Sequence, residues 1–138
     1  LMPDLLQKYG LQETLMDYAS RMTNRQLDID VQFLHYSNQL ALDRQLLVYR
    51  IIQELVNNAI KHAQASQIII QIIENDVDYF IIVEDDGKGF DLNQHKDGYG
   101  LKNLQARTKL LNGIMNIDSQ PGRGTSISIE VPYKFIVV

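Results

Sequence analysis

Two adjacent apolar segments in the middle of the chain constrain its fold most strongly. Residues 67–74 are dominated by isoleucine, and residues 79–84 form a second segment rich in aromatic and β-branched side chains. Asn75 and Asp76 lie between them, and both residue types favour tight turns. The two segments therefore predict neighbouring strands of one sheet, joined by a hairpin.

Helical and alternating patterns on both sides of this hairpin predict the remaining elements. Pro3 and Asp4 open a segment whose apolar residues recur at helical spacing up to Met22. Asp43 is positioned to cap a long helix that ends at about His62. The other predicted elements are strands at 27–34, 114–118 and 125–131 and a helix at 101–111.

These elements predict an α+β fold. Hairpins and segregated helices favour a two-layer α/β sandwich, with a mixed sheet of about five strands and helices on one face. A chain of 138 residues is expected to form one domain. Residues 1–138 are interpreted as that domain, with residues 1–26 as a leading helical segment.

Composition excludes several classes of function. The net charge is −4 and the 13 basic residues do not cluster, so no nucleic-acid partner is expected. The absence of cysteine excludes disulfides and thiolate chemistry, and suits the cytoplasm. No apolar run is long enough to cross a bilayer, so this fragment is not expected to contact a membrane. Because the chain begins with Leu1, we expect it to be a piece of a longer protein. A membrane-bound parent is compatible with this expectation, and the piece would then be its cytoplasmic part.

The long helix carries a stripe of polar side chains. Glu54, Asn58 and Lys61 fall within an arc of roughly 60° on a helix. An amide oxygen can ligate Mg²⁺, an ammonium can meet a phosphate, and a carboxylate can orient water or act as a base. The stripe therefore suits a metal-phosphate site, although a solvated helix face explains the same pattern.

Three glycine-containing segments follow this helix, at residues 85–89, 98–101 and 122–125. The first places Asp85 at a strand end, where its carboxylate can accept a hydrogen bond from an exocyclic amine. The second leads into a helix, whose N-terminal N–H groups can bind phosphates. The third precedes Thr125, whose hydroxyl can contact a base. Each segment alone also fits an ordinary turn.

In this order, the stripe and the glycine segments resemble the ATP-binding domain shared by bacterial sensor histidine kinases, DNA gyrase, Hsp90 and MutL. The resemblance covers residues 47–132 and implies a Bergerat-type ATP-binding fold. Residues 47–63 and 100–113 are similar to kinases of the nitrate-sensor and desaturase-sensor type. The matching motifs are Glu54-x-x-x-Asn58-Ala59 (the N box), Asp85-x-Gly87-x-Gly89 and Gly98-x-Gly100-Leu101 (the glycine boxes), and residues 124–132 (the closing strand).

The resemblance implies ATP and Mg²⁺ as cofactors and gives each matching residue a role. Asp85 would bind the adenine amine, Thr125 would support the adenine, and Asn58 would hold Mg²⁺. Glu54 would act as a catalytic residue or contact the metal through water, and Lys61 would contact a phosphate during catalysis. The remaining implied ATP contacts are His62, Gly87, Gly89, Gly98, Tyr99, Gly100 and Leu101.

A histidine kinase also needs a histidine that accepts the phosphate. His35 is predicted to end a strand, His62 belongs to the N box, and His95 lies in a polar loop, so none is expected to be the acceptor. The domain would instead donate the γ-phosphate of ATP to a histidine on a separate dimerisation domain of the same parent. The receiver domain of a response regulator would be the next partner.

Two other functions fit the same residues. A stand-alone ATPase of the gyrase or Hsp90 kind would use Glu54 as a base, although residues 90–97 form a short loop where such enzymes carry longer lids. A degenerate regulatory module would bind a protein partner and no nucleotide.

Overall fold

Four helices and five strands make up the part of the chain that the computed structural model describes, residues 2–91 and 100–133. None of these helices is both long and apolar enough to cross a bilayer. The helices are α1 (Asp4–Tyr9), α2 (Leu11–Met22), α3 (Leu42–Lys61) and α4 (Leu101–Leu110). The strands are β1 (Asp28–Leu34), β2 (Gln67–Glu74), β3 (Asp78–Asp85), β4 (Ile114–Ser119) and β5 (Thr125–Pro132).

The five strands form one mixed sheet in the order β1-β2-β3-β5-β4. β1 runs parallel to β2, and the other neighbouring strands are antiparallel. Asn75 shapes the β2–β3 turn, because its side-chain oxygen accepts hydrogen bonds of 2.9 Å from the N–H groups of Val77 and Asp78. The predicted hairpin and the predicted α+β class with a mixed sheet are confirmed.

One face of the sheet packs against the helices. Side chains along a strand alternate between its two faces, so every second strand residue points towards this packed face. Ile72 of β2 and Ile81 of β3 are paired across the sheet and fully buried. α3 covers them with apolar residues at helical spacing, of which Val48, Ile52 and Val56 have no exposed surface. This arrangement confirms the predicted two layers, and it sets the end of β3 beside the C-terminal half of α3.

The leading segment contains two helices, where the sequence pattern predicted a single helical run. Gly10 separates them with a φ of 88°, and its N–H donates to the carbonyl of Leu6. Leu6, Leu11 and Leu15 from the two helices are buried in the core. The apolar spacing therefore predicted the buried face correctly, but it could not show a break that depends on one glycine.

Asp43 does not cap α3, contrary to the sequence prediction. The N-cap residue is Ala41, whose carbonyl accepts hydrogen bonds of 3.0 Å from the N–H groups of Arg44 and Gln45. Asp43 lies in the first turn, and its carboxylate accepts a hydrogen bond of 2.9 Å from the N–H of Arg44. A carboxylate there is favourable because the helix dipole is positive at this end.

Candidate functional site

A small apolar pocket lies between α3, α4 and the strands β3 and β5. Its volume is about 20 Å³, little more than the space of one water molecule. A flat ring could enter only if the side chains that close the pocket moved apart. The apolar lining consists of Leu55, Ala59, Ala63, Val83, Phe90, Leu101 and Ile127, and the polar lining of Asn58, Asp85 and Thr125.

The pocket brings together four residues that were predicted as site residues, namely Asn58, Asp85, Leu101 and Thr125. They come from separate parts of the chain, and the register of the sheet pairs Asp85 directly with Thr125. An apolar cavity with a few placed polar groups is the usual form of a small-molecule site.

Asp85 occupies the last position of β3 and is half-buried. Its Oδ1 accepts a hydrogen bond of 2.8 Å from the N–H of Gly87, which orients the carboxylate. Burial raises the pKa of Asp85, the Gly87 N–H opposes this rise, and the charge of Asp86 adds to it. The result is an oriented hydrogen-bond acceptor inside a mainly apolar pocket.

Asp86, the neighbouring carboxylate, has a different role. Its Oδ1 accepts hydrogen bonds of 2.8 and 2.9 Å from the N–H groups of Ser66 and Gln67, and its Oδ2 accepts one from the Ser66 hydroxyl. Several hydrogen bonds lower the pKa of Asp86, and the one from the Ser66 hydroxyl has the largest effect. Asp86 therefore ties the glycine turn to the segment that leads into β2.

Position 89 requires glycine, because two backbone segments approach each other closely there. Its φ is 65°, and a Cβ atom on it would lie 2.0 Å from the carbonyl oxygen of Gln120. A side chain cannot be accommodated because a backbone atom occupies its place. Gly89 therefore has a structural reason to be glycine that does not depend on the ATP contact predicted for it.

Thr125 is linked to Ser119, which the sequence did not predict as a site residue. The two hydroxyl oxygens are 2.8 Å apart and buried. Ser119 also accepts a hydrogen bond of 3.0 Å from the N–H of Phe90 and donates one of 3.2 Å to the carbonyl of Gly124. The hydroxyl of Ser119 thus holds the pocket residues Phe90 and Thr125 in place. Only its position before a Pro-Gly turn marked it in the sequence.

The polar stripe of α3 is only partly gathered at the pocket. Asn58 lines the pocket, and Glu54 is half-buried one turn earlier, with its carboxylate beside Gly100. Lys61 is exposed at the last position of α3, and His62 is the C-cap residue, whose N–H donates to the carbonyl of Asn58 at 2.9 Å. The stripe therefore runs from the start of α4 to the exposed end of α3.

The oxygen ligands that α3 offers suit Mg²⁺ better than they suit a metal ion whose ligands all come from protein side chains. Within residues 2–91 and 100–133, no group of three or more His, Cys, Asp or Glu side chains could hold a metal ion. Mg²⁺ prefers oxygen ligands and keeps most of its waters or phosphate oxygens, so one or two protein ligands suffice. The amide oxygen of Asn58 is a ligand of this kind, and the carboxylate of Glu54 suits contact with such an ion through a water molecule.

A wider polar cavity of about 300 Å³ lies next to the same strand ends. Asp85 and Thr125 belong to its lining too, with Glu84, Asp118 and Arg123. Its polar walls offer less to a flat aromatic ring than the apolar pocket does, so the apolar pocket is the better candidate site for such a ring. Two predicted contacts, Gly98 and Tyr99, lie outside the described residues, as does His95.

Similarity to known proteins agrees with this geometry. The family described as "Histidine kinase-, DNA gyrase B-, and HSP90-like ATPase" matches residues 43–134. The sensor histidine kinase ComP of Bacillus subtilis is 34% identical over 135 residues, which are 95% of this chain and 18% of ComP. The signal transduction histidine-protein kinase/phosphatase DegS of the same species is 36% identical over 139 residues, covering 94% of this chain and 36% of DegS. The chain thus spans about a third or less of these relatives.

The fold is also found among solved structures. The blue-light activated histidine kinase of Erythrobacter litoralis superposes with a TM-score of 0.71, over 88% of this chain and 41% of that one. The two sequences are 19% identical, so this likeness concerns the fold alone.

Proposed function

Because the chain belongs to the histidine kinase-, DNA gyrase B- and HSP90-like ATPase family, we propose that it is the ATP-binding catalytic domain of a sensor histidine kinase. Family membership confirms the resemblance predicted from the N box and the glycine boxes. The observation that carries the proposal is Asp85, an oriented carboxylate in an apolar pocket that Asn58 and Thr125 also line.

Adenine binds in the apolar pocket and Asp85 accepts a hydrogen bond from its amine. An ionised carboxylate has about four acceptor positions, and the N–H of Gly87 occupies one of them. Thr125 supports the adenine from the paired strand, held by its contact with Ser119. Gly87 and Gly89 form the turn that aims the carboxylate.

The triphosphate extends from this pocket along α3 towards the start of α4. Asn58 ligates Mg²⁺, and Glu54 contacts the ion through water. Lys61 and His62 meet the phosphates from α3, and residues 98–101 meet them through the backbone. The ion neutralises phosphate charge when bound, and the protein contributes orientation and electrostatic stabilisation.

The phosphate acceptor is a histidine on a separate dimerisation domain of the parent protein, and a response regulator receives the phosphate afterwards. The two described histidines support an acceptor elsewhere. His35 follows β1 with a φ of 60°, and His62 lies at the C-terminal cap of α3, so neither projects from the middle of a helix. We place the domain in the cytoplasm, where ATP and response regulators are found.

The adenine assignment can be tested with inosine triphosphate, which carries an oxygen where ATP carries the amine. We expect the chain to bind Mg-ATP at least about tenfold more tightly than the inosine nucleotide, a difference of about 1.4 kcal/mol. The Asp85→Ala variant should bind both nucleotides weakly and discriminate between them by less than about threefold. Isothermal titration calorimetry measures all four affinities.

Asp76→Ala is the matched control, because it removes the same charge from an exposed position at the opposite end of β3. It should bind and discriminate like the parent chain. Equal binding of the two nucleotides by the unmodified chain, or unchanged ATP binding by Asp85→Ala, would show that the adenine site is wrongly placed.

A further inference from the structure

The carboxylate of Glu54 lies directly against the α-carbon of Gly100. A Cβ atom added to Gly100 would be 2.6 Å from Oε1 of Glu54 and 3.7 Å from its Cδ. Apart from the chain neighbours of Gly100, no other described heavy atom lies within 4 Å of that point. Glu54 on α3 is thus the residue that fills the space where a side chain at the start of α4 would lie.

Helix α4 begins without an N-terminal cap of its own. Its N-cap residue is Gly100, with a φ of 64°, which has no side chain to form a capping hydrogen bond. The first turn carries Lys102 and no acidic residue. Because the first turn of a helix has fewer backbone hydrogen bonds to hold it, the start of α4 depends on packing by other elements, and the side chain of Glu54 packs against it from α3.

We propose that Glu54 is a positioning residue that fixes the start of α4 against α3. The inference rests on the proposed function, which places ATP phosphates at the first turn of α4. A fixed first turn keeps its N–H groups aimed at the phosphates, so less order has to be gained on binding. Glu54 fulfils this role through its shape and its oxygen atoms, without taking a proton from water.

Two variants of Glu54 separate positioning from base chemistry. Leu104 reports on the first turn, because its N–H donates to the carbonyl of Gly100 at 3.1 Å. In Glu54→Ala we expect hydrogen exchange at Leu104 to be at least about fivefold faster in the nucleotide-free protein. The Kd for Mg-ATP should rise by a similar factor. Glu54→Gln keeps the shape and one acceptor oxygen, and should restore both values to within about twofold of the parent.

The control on the same helix is Gln53→Ala. Gln53 bonds to Tyr49 and Arg50 within α3, so its loss should leave exchange at Leu104 unchanged. The proposal is wrong if Glu54→Ala leaves this exchange rate unaltered. It is also wrong if Glu54→Gln is as impaired as Glu54→Ala in both measurements, because ionised oxygen rather than position would then be required.

A double-mutant cycle tests the contact itself. In Gly100→Ala the new methyl group displaces the carboxylate of Glu54, so adding Glu54→Ala should have less than about a twofold further effect. Gly122→Ala is the matched background, since Gly122 has a φ of 82° and no described atom within 4 Å of its Cβ position. There Glu54→Ala should keep its full effect. An equal effect of Glu54→Ala in both backgrounds would contradict the contact.

The two proposals fail in different ways. The exchange measurements need no nucleotide, so they decide the role of Glu54 even if the parent chain does not bind Mg-ATP. Failure of the unmodified chain to bind Mg-ATP would overturn the proposed function. The double-mutant cycle read out by hydrogen exchange at Leu104 would still be valid.

Discussion

The side-chain oxygen of Gln45 accepts a hydrogen bond of 2.9 Å from the N–H of Leu11, 34 residues earlier in the chain. The amide nitrogen of the same side chain donates to the carbonyl of Leu40 at 2.7 Å, and Gln45 is buried. One residue therefore links the start of α2, the loop before α3 and α3 itself. Since the family match begins at residue 43, this bond joins the matched region to a segment that precedes it.

Gln45→Leu is expected to lower the free energy of unfolding by about 2 kcal/mol or more, because it leaves a buried N–H and a buried carbonyl unpaired. Gln12→Leu makes the same change at an exposed position of α2 and should cost less than about 0.5 kcal/mol. Urea denaturation followed by circular dichroism measures both. Equal stabilities for the two variants would show that the leading helices are not held by this bond.

Ser119→Ala is expected to destabilise the fold by about 1–3 kcal/mol, because the buried N–H of Phe90 loses its acceptor. The Thr125 hydroxyl also loses its partner, so we expect ATP affinity to fall together with stability. Ser128→Ala on the same sheet is the control, because Ser128 is only half-buried and faces away from the helices. Denaturant unfolding and calorimetry give the two quantities, and a stable Ser119→Ala variant would contradict the role of Ser119.

Asp85 and Asp86 should affect the pH dependence of stability in opposite directions. Burial raises the pKa of Asp85, so its ionisation costs stability as pH rises from the ordinary pKa of 3.8 through the raised value. Hydrogen bonds from Ser66 and Gln67 lower the pKa of Asp86. Ionised Asp86 therefore contributes stability that is present above 3.8 and is lost as pH falls through its lowered pKa.

Asp85→Asn should therefore raise the free energy of unfolding at neutral pH, and the gain should vanish below about pH 4. The amide oxygen of the new side chain would still offer an acceptor to the N–H of Gly87. Asp86→Asn should lower the free energy at neutral pH, and this loss should shrink only in stronger acid. Urea midpoints between about pH 3 and pH 7 test both variants. Shifts of the same sign at neutral pH would show that the two environments are wrongly assigned.

Local patterns were sufficient for the main elements and for the polar pocket residues. The strand at residues 67–74 was predicted with its observed bounds, because its isoleucines and the Asn75 turn specify extended chain and its end. Asn58, Asp85 and Thr125 were predicted as site residues from motifs of neighbouring residues, and the structure places all three in the lining of one pocket. The cap at Ala41 was not predictable, because both Asp43 and the apolar pattern fit more than one starting point of α3.

Contacts between distant parts of the chain could not be predicted in this way. Ser119 carries no motif, and its importance comes from three backbone and side-chain groups that meet it in the folded protein. The same holds for Gln45, which is one polar residue among several on a helix until α2 packs beside it.

The sequence by itself determined the types of the main elements and the family to which the chain belongs, because periodicity, turn chemistry and short motifs act over a few residues. Only the tertiary structure decided that Asp85 is oriented and Asp86 is structural, and that Glu54 meets Gly100. These distinctions depend on which atoms approach within hydrogen-bond or van der Waals distance. That is set by the packing of α3 and α4 against the sheet, and no local pattern contains it.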